Sequence, residues 1–143
     1  MAITSAICNS FKTQILTAVH NFTQGGNTFR LALYTNAATL SKSTTTYITA
    51  NEVANGNGYT TKGAALTNVT PALSGDVACC DFADVSFTSA SFTTRGCLIF
   101  NDTAANDPAV CAIDFGGDKT VSSGTFTIQF PAADASNAIV RIA

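Results

Sequence analysis

Gly124-Thr125-Phe126-Thr127-Ile128-Gln129-Phe130 decides how the whole chain is read. Successive side chains of an extended strand point to opposite faces, so Phe126, Ile128 and Phe130 share one face while Thr125, Thr127 and Gln129 share the other. A strand that is apolar on one side and hydroxylated on the other needs a second layer over its dry face. The same period of two recurs upstream, where Phe29, Leu31 and Leu33 alternate with Arg30, Ala32 and Tyr34. It recurs again over residues 77–87, 92–100, 109–115 and 138–142, with clusters of Gly, Pro, Asn and Asp between the runs. Phe115-Gly116-Gly117-Asp118 and Asn106-Asp107-Pro108 carry turn chemistry and predict two hairpins near the C-terminal end. The expectation is a mainly β fold, an antiparallel β-sandwich or flattened barrel of about seven to eight strands with one N-terminal α-helix.

The helix is expected over residues 5–22, within a region of about 5–23, because Ile7, Phe11, Ile15, Ala18, Val19 and Phe22 fall at spacings of three and four. Thr4 or Ser5 can cap its start, and Gly25-Gly26 can end it. Its apolar stripe packs either on the chain's own sheet or on a neighbour. At 143 residues, of which 46% are hydrophobic, the chain suits one domain, with the β-region spanning about 28–143. Residues 40–69 are the least regular. Asn51-Glu52-Val53-Ala54-Asn55-Gly56-Asn57-Gly58-Tyr59 reads as a long loop, which serves either as a contact surface or as a cover over one end of the sandwich.

Charged residues are scarce, 11% of the chain against roughly 25% in an ordinary soluble domain. Serine, threonine, asparagine and alanine take their place on the surface, and burying such a surface against a partner avoids the several kcal/mol that desolvating each ion costs in effective terms. Low charge thus suits a protein that works in contact, although a secreted or simply charge-poor domain has the same composition. The net charge is −2, and Lys12, Arg30, Lys42, Lys62, Arg95, Lys119 and Arg141 are scattered, which argues against nucleic-acid binding. No charged leader precedes an apolar run, and no run is long enough to span a membrane, so the expectation is synthesis without export and no membrane partner.

The chemistry-bearing residues do not assemble into a known pattern. His20 is the only histidine and has no carboxylate near it in sequence; it reads as an exposed or partly packed helix residue, not as a base. Gly58-Tyr59-Thr60-Thr61-Lys62-Gly63 has the glycine spacing of a phosphate loop, but Ala64 and Ala65 stand where lysine and a hydroxyl are required. Asp114-Phe115-Gly116 copies a kinase triplet in a chain too short for that fold. Asp81, Asp84, Asp102, Asp107, Asp114 and Asp118 lack the spacing of a calcium loop. Cys79, Cys80, Cys97 and Cys111 contain no C-x-x-C pair, and all five cysteines are read as reduced thiols, mostly core fillers on strands. No enzyme activity, metal or cofactor is expected.

Phe29-Arg30-Leu31-Ala32-Leu33-Tyr34-Thr35, Tyr47, Asn51-Glu52-Val53 and Gly58-Tyr59-Thr60-Thr61-Lys62-Gly63-Ala64-Ala65-Leu66 form one set of elements. Arg95-Gly96-Cys97-Leu98-Ile99-Phe100-Asn101, Ala112-Ile113-Asp114-Phe115-Gly116-Gly117-Asp118-Lys119 and Gly124-Thr125-Phe126 form a second. Together they resemble a family of small virion structural proteins of tailed bacteriophages. The resemblance implies a non-enzymatic particle component, made in the host cytoplasm and located on the virion. The first expectation is a capsid decoration, or cement, protein that sits as a homo-oligomer over junctions of the major capsid protein. The alternative is a tail, baseplate or fibre component, such as an adhesin for host glycans. The residues expected at an interface are Ile7, Phe11 and Ile15 on the helix, and Tyr47, Glu52 and Tyr59 around the polar loop.

Overall fold

The computed structural model describes residues 2–143. In chain order the elements are β1 (Ala6–Ile7), α1 (Asn9–Leu16), β2 (Phe29–Tyr34), β3 (Ala64–Ala65), β4 (Asn68–Ser74), β5 (Val77–Phe82), β6 (Val85–Asn101), β7 (Ala109–Ile128) and β8 (Val140–Ile142). They form a five-stranded sheet in the order β1-β7-β6-β2-β3 and a three-stranded sheet in the order β4-β5-β8, and all of these pairings are antiparallel. The fold is mainly β and sandwich-like with a short N-terminal helix, as the alternation predicts. The two sheets meet through aromatic rings: Phe82 of β5 lies 5.8 Å from Phe29 of β2, and Phe22 stacks on Phe29 at 4.3 Å.

β6 and β7 form one long hairpin, closed at its tight end by Asn106 and Asp107, both at positive φ. Asn-Asp-Pro therefore turns the chain as its residue types require. The other turn signal does not form a hairpin. β7 runs through Phe115-Gly116-Gly117-Asp118, and the register moves from Thr94 opposite Lys119 to Gly96 opposite Asp114. Between these pairs one residue of β6, Arg95, faces four of β7, residues 115–118, so the surplus is absorbed as a bulge, with Gly116 at φ +81 and its N–H bonded to Asp114 Oδ1.

The helix is shorter than its apolar spacing suggests. Ala6 and Ile7 pair instead with Ala112 and Cys111 of β7, and α1 covers only Asn9–Leu16. Its end is a Schellman motif: Val19 N–H donates to the Gln14 carbonyl and Ala18 N–H to the Ile15 carbonyl, with Ala18 at φ 61. An alanine thus holds the left-handed position that glycine usually fills. Gly25-Gly26 lies nine residues or more beyond the helix end and plays no part in stopping it.

β2, between β6 and β3 in the large sheet, is its most buried strand, with five of its six residues inaccessible. Part of its cover comes from the irregular segment 35–63, which contributes Ala38, Leu40, Val53 and Tyr59 to the core. A close approach makes this fit. Gly63, at φ +69, lies so near β2 that a Cβ there would stand 1.8 Å from the Leu31 carbonyl oxygen.

Replacing Ala18 by glycine removes the steric cost of the left-handed conformation. It is expected to raise the unfolding free energy by about 1 kcal/mol, read as a higher urea midpoint with an unchanged slope.

Candidate contact surface

The six residues singled out from the sequence separate into an inner and an outer group. Tyr47, Glu52 and Tyr59 are brought together, but inward. Glu52 Oε1 accepts from the Tyr59 hydroxyl at 2.7 Å and from the Lys62 N–H at 2.7 Å, and Oε2 accepts from the Tyr47 hydroxyl at 2.5 Å. The Tyr59 oxygen also accepts from Leu33 N–H of β2 at 2.9 Å, so the pair of residues is tied to that buried strand. Burial and the Glu52 carboxylate both hold the Tyr47 and Tyr59 phenols far above their ordinary range, so neither ionises at neutral pH. Tyr59 is buried, with its ring stacked on Phe87, and has almost no surface to present to a glycan. The segment 51–59 is therefore a cover rather than a free loop.

Lys62 completes this corner. Its ammonium bonds Asp102 at 3.0 Å and Asp107 at 2.8 Å and lies 5.6 Å from the Tyr47 ring centre. Those two carboxylates raise the lysine further above its ordinary value, which keeps it charged and poorly nucleophilic. The residue that reads as part of a failed phosphate loop instead pins the β6–β7 turn. Arg30 of β2 fixes the same corner from the other side, donating to the Lys62 and Gly63 carbonyls.

His20 is buried, beyond the helix end, and not on its surface. Its ring lies among Phe11, Phe22 and Phe29. Nε2 lies 2.9 Å from Gln14 Oε1, and Asn101 Nδ2 lies 3.2 Å from Nδ1. The amide nitrogen can only donate, so Nδ1 is the acceptor and Nε2 carries the proton. This is a neutral imidazole, and burial lowers its pKa from 6.5 to about 4. All five cysteines are free thiols, and burial raises Cys8 to about 11 and Cys111 to about 12, which leaves those two unreactive.

The outer group is different in kind. Phe11 faces the core at 3% exposure, but Ile7 and Ile15 are half-buried in a groove that α1 forms with β8. The groove is lined by Ile7, Phe11, Lys12, Ile15, Leu16, Val140, Arg141 and Ile142 and encloses about 290 Å³. Leu16 is 86% exposed and Ile142 55% exposed. From Ile142 the register runs directly to Ala78 of β5 and from Ala78 to Leu73 of β4, which is 73% exposed. Among the described residues, three of the four exposed large hydrophobic side chains thus share one row across α1, β8, β5 and β4. Monomers seldom leave a contiguous apolar row in water, and such rows mark contact sites. Leu16, Leu73 and Ile142 are absent from the sequence-based set. The signal that could have found Leu16 is its position off the stripe of Phe11 and Ile15 on an otherwise amphipathic helix.

Comparisons with protein families, with curated proteins and with solved structures give no match.

His20 makes stability depend on pH. Its folded pKa lies below the unfolded one, so the folded state is fully favoured above 6.5 and loses stability as pH falls from 6.5 towards 4. The loss approaches about 1.4 kcal/mol per pH unit within that window, about 3 kcal/mol in all. Urea unfolding at stepped pH should show this slope, and His20→Gln should flatten it.

Proposed function

We propose that this chain is a non-enzymatic structural protein that acts by docking, as a decoration protein on the capsid of a tailed bacteriophage. The observation that carries the reading is the apolar row of Leu16, Ile142, Ala78 and Leu73, set in a surface otherwise rich in hydroxyls and amides and poor in charge. A row of this kind gains from leaving water, and little ion desolvation opposes its burial. The resemblance of residues 29–35, 58–66, 95–101 and 112–119 to phage virion proteins supplies the setting. The partner in this reading is the major capsid protein, with the decoration protein placed as a homo-oligomer over subunit junctions.

The fold supports the same reading through stiffness. Tyr47, Glu52, Lys62, Asp102 and Asp107 cross-brace segments far apart in sequence, and the aromatic contacts from Phe11 through Phe22 and Phe29 to Phe82 and Phe130 tie the helix to both sheets. A rigid body transmits load between the neighbours it bridges.

Cosedimentation with purified capsids of the phage that encodes the chain tests this reading. The wild-type chain should bind at a fixed ratio to capsid subunits. Leu16→Asp should weaken attachment at least about a hundredfold while leaving the unfolding free energy within about 0.5 kcal/mol, because that side chain is already in water. Undiminished attachment of this variant would exclude the row as the docking face.

A further inference from the structure

The groove between α1 and β8 continues along the molecule. One adjoining hollow, about 310 Å³, is lined by Ile7, Val77, Ala138, Ile139, Arg141 and Ala143, and another, about 270 Å³, by residues 5–7, 111–113 and Ile139. All three hollows share Ile7, so they form one trough. Its two banks are sheet edges: β1 ends the large sheet and β8 ends the small one. β8 pairs with β5 on one side only, through Val140, Arg141 and Ile142, and among the described residues its other side has no strand partner. The trough is thus the open seam of the sandwich, where one strand would close the small sheet against the large.

The charges along it have one sign. Lys12 and Arg141 are the charged side chains that line the trough, in a chain whose net charge is −2. Neither belongs to an ion pair among the described residues: Lys12 reaches only Asn9 Oδ1, and Arg141 donates to the Ala135 carbonyl. Asp134 is near enough to be lowered in part by Arg141, but its oxygens are engaged by Asn137 and Ser136. A second copy docked about a twofold axis would set Lys12 and Arg141 against their own images, a repulsive arrangement. A chain with carboxylates at these points would satisfy both cations.

We propose that the seam is filled by an extended segment of a different protein, which adds a strand to β8, points alternate apolar side chains at Ile7, Ile15 and Ile139, and places carboxylates beside Lys12 and Arg141. This assignment rests on the docking-face reading above and specifies the partner's chemistry. Backbone bonds to β8 supply register, and the apolar hollows with the two cations supply selectivity.

Two labelled peptides test it against the full chain. Each alternates valine and threonine over the length of a short strand; one is flanked by glutamate pairs and the other by lysine pairs. Fluorescence anisotropy should show the glutamate peptide binding at least about tenfold more tightly at ~0.05 M salt, with the advantage shrinking at ~0.5 M. The double variant Lys12→Glu, Arg141→Glu should invert the order of the two peptides. The backbone amides of β8 that point away from β5 should exchange more slowly in the bound state. Equal affinity, no binding of either peptide at ~1 mM, or binding without slowed exchange in β8 would overturn the assignment. Loss of capsid attachment by Leu16→Asp together with indifferent peptides would retain the docking face and reject only the acidic strand. Capsid attachment that survives Leu16→Asp would reject the face itself.

Discussion

The Glu52 carboxylate holds the architecture together at its least regular point. One anion accepts from two phenols and a backbone amide, and the donors come from three places between Tyr47 and Lys62. Hydrogen bonds to a charged acceptor are stronger than neutral ones, and a buried donor that loses its acceptor costs the full desolvation of that group. Tyr59 relays the anchor to β2 through Leu33 N–H, and Val53 N–H returns to the Leu33 carbonyl. A stretch with almost no regular structure is thereby fixed to the sheet it covers. Without it, Leu33 and its neighbours on β2 would lie under a loose lid.

The sheet edges favour the seam over the other edges as the place for the proposed contact. β3 is two residues long, β4 carries Pro71 with a register shift beside it, and the outer half of β7 is broken by the Gly116 bulge and carries Lys119. Short length, proline, bulges and lysine all discourage indiscriminate strand addition. β8 is short as well, yet it lies beside hollows with exposed Leu16 and Ile142, so only a strand whose side chains fit them gains there. Selectivity and protection from aggregation follow from the same arrangement.

Much of the fold is legible in the residues because the alternation of Phe126, Ile128 and Phe130 with Thr125, Thr127 and Gln129 records one wet and one dry face directly. The helix is less legible. Ile7 and Phe11 satisfy helical spacing, but Ile7 has β7 available as a strand partner, and Ala18, a good helix former, is forced into a left-handed cap. Glycines mark bends without stating their kind, so Gly116-Gly117 reads as a turn while the partner strand makes it a bulge. The polar segment around Glu52 reads as a loop because its acceptor role depends on Tyr47, Tyr59 and Lys62 being folded around it. The exposed row is hidden for a related reason: Leu16 and Ile142 are 126 positions apart, and only the sheet's return path places them in one groove.

Inner and outer groups therefore have separate duties. Glu52, its tyrosines and Lys62 brace the irregular segment against β2, while Leu16, Ile142 and Leu73 lie exposed on the face proposed for docking. Amide hydrogen exchange on the chain alone and on the chain bound to capsids distinguishes these duties in one experiment. The account requires the bonded amides of Leu33, Val53, Tyr59 and Lys62 to be equally protected in both states and residues 12–16 and 138–142 to gain protection only when bound. Protection gained at residues 47–62, with none at the α1–β8 groove, would contradict it.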